Sequence, residues 1–171
     1  MEYELRLKEI KEKSINDRNY CTVMASSIAF NTSFEYMQDL YFDLGRRRFR
    51  GCYFSEIIEG LAEKFKCNLT IYKKRFNLDR GWHWVNKDNL KDKLKIPKLT
   101  PNNAPKYLTK GNYILSVRGH VLSLKNGIVE DWSRGKKHQV KTIYKIQDKN
   151  FVEPSKLDSF LNDFNDEDFE F

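Results

Sequence analysis

The dipeptide Asn126-Gly127 constrains this chain more than any other short segment of it. Both residues tolerate positive φ, so between two strand-forming runs they specify a tight two-residue hairpin. HVLSL precedes the pair and IVEDW follows it. With Asn126 and Gly127 as the loop, Lys125 pairs with Ile128, Leu122 lies opposite Asp131 and His120 lies opposite Ser133. Strand alternation puts His120, Leu122 and Leu124 on one face. Directly opposed residues share a face, so Asp131 becomes a diagonal neighbour of His120 and Glu130 points the other way. A one-residue slip would exchange Glu130 for Asp131.

Upstream of the hairpin the pattern changes from helical to extended once along the chain. CTVMASSIAF begins at Cys21 after the polar NDRN and reads as a buried helix rich in small residues. Thr32 and Glu35 form a T-x-x-E capping box ahead of FEYMQDLYFDL, with Gly45 as its stop. Phe54, Ile57, Ile58, Leu61 and Phe65 recur at helical spacing and predict a helix over about 54–65. NLTIY, GWHWV, NYILSV, HVLSL, IVEDW and VKTIYKI then read as strands. Residues 87–110 hold three prolines and many lysines and predict a loop with a short helix near 102–108. Residues 1–13 fit either a strand, through Tyr3, Leu5 and Leu7, or a helix. Helices first and strands second argue for an α+β domain with a mostly antiparallel sheet.

The 171 residues suit one domain with a core of its own. A mean hydropathy of -0.72 and the lack of a long apolar run exclude a membrane-spanning helical bundle. With no apolar leader segment, the expected setting is cytoplasmic. The net charge of +7 conceals a divide, because residues 153–171 carry seven acids against Lys156. We therefore divide the chain into a basic domain, 1–152, and an acidic aromatic tail, 153–171. The tail suits either an amphipathic helix or a disordered segment, and it is a candidate mask for the basic body.

Three cysteines, Cys21, Cys52 and Cys67, form no CxxC. With His83, His120 and His138 scattered, no metal-ligand spacing arises and no cofactor is expected. Free thiols in a reducing compartment are the natural reading. A thiol nucleophile needs a base, and the base needs an orienting group. Cys21 stands where a helix begins, and the free N–H groups of a helix start favour the thiolate. His120 with Asp131 supplies the other two members. Cys52, after Gly51 and ahead of a helix, is a weaker rival, and Cys67 reads as structural. His83 between two tryptophans suits packing or a groove wall, and His138 among lysines suits an exposed loop.

Cysteine at a helix start, histidine on a later strand and an acid on the next is similar to the chain order of papain-like cysteine peptidases. DRNYCTVMASSIAFNTSFEYM and GNYILSVRGHVLSLKNGIVEDW resemble, more narrowly, a family of small phage-encoded proteins with D-R-N-x-C and a later G-H…D hairpin. The two stretches cover about a quarter of the chain. The resemblance implies a papain-like fold, N-terminal helices on a C-terminal sheet, acting in host cytoplasm as a cysteine-dependent peptidase or isopeptidase. It implies Cys21 as nucleophile, His120 as base and Asp131 as orienter, with a peptide or protein substrate. Such enzymes carry a Gln before the cysteine to hold the oxyanion, and no Gln precedes Cys21 here. Asn19 and Asn16 are the candidate replacements. The alternative is a weak or inactive scaffold that binds a host protein or nucleic acid. For that role GRRRFRG is the leading basic cluster, with Arg46, Arg47, Arg48 and Arg50 facing an anionic partner.

Overall fold

In a computed structural model of the chain, residues 2–16, 19–47, 50, 52–77, 81–96 and 98–148 are described here. They form five helices and one open seven-stranded sheet. The helices are α1 (Glu2–Glu12), α2 (Cys21–Ala29), α3 (Phe34–Asp43), α4 (Phe54–Lys64) and α5 (Ala104–Tyr107). The strands are β1 (Cys67–Asn77), β2 (Gly81–Asn86), β3 (Lys93–Leu94), β4 (Asn112–Val117), β5 (His120–Lys125), β6 (Ile128–Glu130) and β7 (Thr142–Asp148). Their order across the sheet is β3-β2-β1-β7-β4-β5-β6, and every neighbouring pair is antiparallel.

The fold is thus the α+β arrangement expected, with four helices before the first strand. Both faces of the sheet are covered. On one side Val23, Met24, Ile28, Phe34, Met37 and Ile58 pack with Ile71, Ile114 and Tyr144. On the other, Trp84, Leu99, Leu108, Leu115, Leu122 and Ile143 close a second core. That second layer comes from loop residues and the single turn of α5. Its presence explains why β4 is buried at four of its six positions.

Helix α2 sits deepest, with all but its first residue buried. Its small residues let neighbours approach, and Ser26 Oγ meets Tyr41 Oη at 2.8 Å while that hydroxyl donates to the Thr22 carbonyl at 3.1 Å. Of residues 1–13, left between strand and helix by the sequence, Glu2–Glu12 are helical. Tyr3, Leu7 and Ile10 follow helical spacing onto the core, and Leu5, which a strand would have aligned with them, is exposed.

The start of α3 differs from expectation. Ser33, not Thr32, is its N-cap, and Ser33 Oγ accepts from the Tyr36 N–H at 3.1 Å. Glu35 stands too early to close a capping box and instead pairs with Lys13. Its place is taken by Glu9 of α1, whose carboxylate accepts from the Phe34 and Glu35 N–H groups at 3.0 and 3.1 Å.

The hairpin register is as read from the turn. Lys125 faces Ile128, Leu124 faces Val129 and Ser123 faces Glu130. Asn126 and Gly127 have φ of 49° and 75°, the type I′ combination. Strand β6 ends at Glu130, two residues earlier than the sequence pattern suggested. The Glu130 carboxylate points away from His120 and accepts from the Tyr3 N–H at 2.9 Å, anchoring α1 to the sheet. Lys125 Nζ holds the same helix through Glu2 at 2.5 Å. Residues 153–171 and Arg48 lie outside the described residues, so the tail and that part of the basic loop have no structural counterpart here. Among the described residues no helix is long and apolar enough to cross a membrane.

Candidate active site

Cys21, His120 and Asp131 come together although 110 residues separate the first from the last. Cys21 is the first residue of α2 and His120 the first of β5, so each side chain projects from the end of a rigid element. Strands β4 and β5 join through Arg118 and Gly119, with Val117 paired to His120 and Gly119 at φ 69°. That turn fixes where the imidazole emerges.

Asp131 Oδ2 meets His120 Nε2 at 2.8 Å and also accepts from the Ser133 N–H at 2.9 Å. Asp131 is 6% exposed, so its carboxylate is largely shielded from water, while His120 is half-buried. With Nε2 engaged by Asp131, Nδ1 is the nitrogen left for the Cys21 sulfur, which lines the same cleft. Burial works against the imidazolium, but the bonds to Asp131 and Cys21 outweigh it and raise the His120 pKa to about 9. Burial likewise opposes the thiolate. The His120 bond and its charge, with the backbone N–H groups of Val121 and Thr22, outweigh it and lower the Cys21 pKa. Opposite shifts on two bonded partners favour a thiolate–imidazolium pair near neutral pH.

The three residues line a cleft of about 280 Å³ shared with Tyr3, Tyr20, Met24, Gly119 and Trp132. Trp132 is 57% exposed, and its ring centroid lies 5.1 Å from that of His120. Burial raises the Tyr3 pKa to about 12, with the Asp131 charge adding to it, so its hydroxyl stays protonated through neutral pH. Of the two asparagine candidates, Asn19 lines the cleft and Asn16, which is exposed, does not. The Asn19 carbonyl accepts from Arg46 Nη2 at 2.8 Å, which fixes the segment leading into α2.

Cys52 stands close to this site but in a different state. Its sulfur lies 3.4 Å from Thr22 Oγ1, and burial followed by the nearby Cys21 charge raises its pKa despite the Thr22 bond and Arg46. Cys67 is buried, with its thiol 3.6 Å from the Ala62 carbonyl. His83 lies on β2, away from the cleft-lining residues. Among the described residues, no three His, Cys, Asp or Glu side chains are placed to hold a metal ion.

The sequence reading missed Tyr3, Tyr20, Met24, Gly119 and Trp132. Trp132 and Tyr20 adjoin Asp131 and Cys21 in the chain, a signal that was present. Tyr3 reaches the cleft only because α1 docks through Glu2 and Glu130, a tertiary contact with no local trace. No protein-family model, curated protein or solved structure matches the chain.

Proposed function

We infer that this protein is a thiol-dependent hydrolase of peptide, isopeptide or related amide bonds. Within that class the reading is narrower: a small papain-like cysteine peptidase of the phage-encoded kind that its D-R-N-x-C and G-H…D segments resemble. The observation that carries it is the His120–Asp131 hydrogen bond with Cys21 on the same cleft, its thiol shifted by the imidazole.

The chemistry follows from the protonation states. The Cys21 thiolate adds to the substrate carbonyl carbon, and the carbonyl π pair moves onto oxygen. The Cys21 backbone N–H, which has no acceptor within the first helical turn, stabilises that oxyanion together with Asn19. As the C–N bond breaks, the His120 imidazolium gives its proton to the departing amine, leaving a thioester on Cys21. Water then adds to the thioester while His120 takes its proton. Collapse of that second adduct releases the acid and returns the thiolate, and the imidazolium is restored. Asp131 keeps Nε2–H directed at itself throughout, so that Nδ1 faces sulfur.

Replacing Cys21 by Ala is expected to remove turnover in a screen of peptide and isopeptide substrates while leaving the fold intact. Unchanged turnover in that variant would overturn the assignment.

A further inference from the structure

A second pocket adjoins the thiol cleft on the Asn19 side. It has a volume of about 270 Å³ and is lined by Arg46, Arg47, Arg50, Cys52, Tyr53 and Glu56 among others. Arg46 is 4% exposed and forms a floor, its guanidinium 5.9 Å from the Phe42 ring centroid. Arg47 and Arg50 are exposed at the rim. The pocket also meets the start of α4, an eleven-residue helix whose N-cap, Tyr53, makes no side-chain cap. First-turn N–H groups without a cap favour an anion, as do three guanidinium groups. Among the described residues of the lining Glu56 is the one carboxylate, and it offsets only part of that charge.

Two contacts tie this pocket to the reactive thiol. Arg46 donates to the carbonyl of Asn19, which lines the cleft, and Cys52 touches Thr22, the residue after Cys21. The pocket and the cleft are therefore neighbours across the first turn of α2.

The geometry points to a carboxylate subsite: the pocket receives an acidic side chain of the substrate peptide, close to the bond that Cys21 attacks. This deepens the hydrolase reading and rests on it, because it places the acidic residue relative to that thiol. The volume admits one carboxylate-bearing side chain, and the buried Arg46 gives it a fixed charge to meet.

The test uses short peptides capped with an iodoacetyl group and ending as amides, with Glu moved one position at a time through an Ala background. Each has a Gln twin, and one all-Ala member ends as a free acid. Alkylation of Cys21 in the full chain is followed by site-resolved mass spectrometry, with iodoacetamide as the uncharged reference. One Glu peptide is expected to label Cys21 about tenfold faster than its Gln twin, the size of one charge-assisted hydrogen bond. That advantage is expected to shrink in 0.5 M salt and to fall in the Arg47→Gln/Arg50→Gln double variant, where Arg46 alone remains, with iodoacetamide labelling unchanged. Both arginines are exposed, so the variant keeps its core, and Arg46 is left in place to hold Asn19. Faster labelling by the free-acid peptide alone would support the subsite with a chain terminus as its occupant. Equal rates for every Glu and Gln pair would overturn it, as would an advantage that the double variant leaves undiminished. So would a single-stranded oligonucleotide that blocks Glu and Gln peptides alike, since that marks a polyanion surface. An ordinary thiol toward iodoacetamide with the Glu advantage intact would remove the hydrolase reading and leave the anion pocket, so the two failures are distinguishable.

Discussion

At the level of single residues, His120 is the pivot, because it touches both Cys21 and Asp131 and each contact shifts a proton equilibrium. Changing Asp131 to Asn keeps the shape but offers Nε2 a neutral partner and removes the charge that supports the imidazolium. The His120 pKa should then fall from about 9 toward its ordinary value, and the Cys21 pKa should rise. Turnover is expected to drop at least about a hundredfold, the usual scale for a misdirected acid–base group. The His120 titration is readable by NMR; an imidazole pKa unmoved by Asp131→Asn would contradict the orienting role. The choice of Asp131 over Glu130 was legible from the turn alone, because Asn126-Gly127 sets the register and side chains alternate. The oxyanion question was not legible. Asn16 and Asn19 both precede the cysteine, and only the path of the chain into α2, pinned by Arg46, brings Asn19 into the cleft.

Among the elements, the β5–β6 hairpin carries the acid–base pair, and its turn is held from outside as well as within. The Asn126 N–H donates to the Gly111 carbonyl at 2.9 Å, and Asn126 Oδ1 accepts from the Gly111 N–H at 3.1 Å. Gly127 has φ of 75°, and a Cβ there would stand 3.3 Å from the Thr109 carbonyl oxygen. Gly127→Ala should therefore cost about 1–2 kcal/mol through positive-φ strain and crowding. Chemical denaturation checks this, and an unchanged midpoint would contradict the part given to the turn. The strands around this hairpin were readable because β-branched and aromatic residues cluster there. The helix α1 was not, because Tyr3, Leu5 and Leu7 alternate like a strand and only packing of Tyr3, Leu7 and Ile10 on the core decides. The cap of α3 was misread for a related reason: Glu9, from another helix, supplies what Glu35 was expected to give.

For the whole molecule, the buried thiolate–imidazolium pair links stability to pH. His120 binds its proton more tightly in the folded chain, so the stability it adds is complete below pH 6.5 and is lost as pH rises through about 9. Cys21 has the opposite sign: its contribution is present above the ordinary thiol pKa of 9.0 and is lost as pH falls through its lowered value. Between pH 6.5 and 9 the two contributions oppose each other and largely cancel in the wild type, so the Cys21→Ala variant, which keeps Asp131 beside His120, should lose stability across that range more steeply than wild type. Thermal unfolding across that range measures it, and parallel curves would contradict that opposition. The second core under the sheet was the least legible part of the fold. Residues such as Leu99, Ala104 and Leu108 sit in a proline-rich stretch with little periodicity, and they become core only by lying against Leu122 and Leu124.

The central claim is that Cys21 is a thiolate held by His120, and the rate of its alkylation by iodoacetamide as a function of pH tests it most directly. Site-resolved labelling is expected to titrate below the ordinary thiol value, with Cys52 lagging behind, and His120→Gln is expected to return Cys21 to the ordinary range. A Cys21 that titrates like a free thiol in wild type, indifferent to His120→Gln, would contradict it.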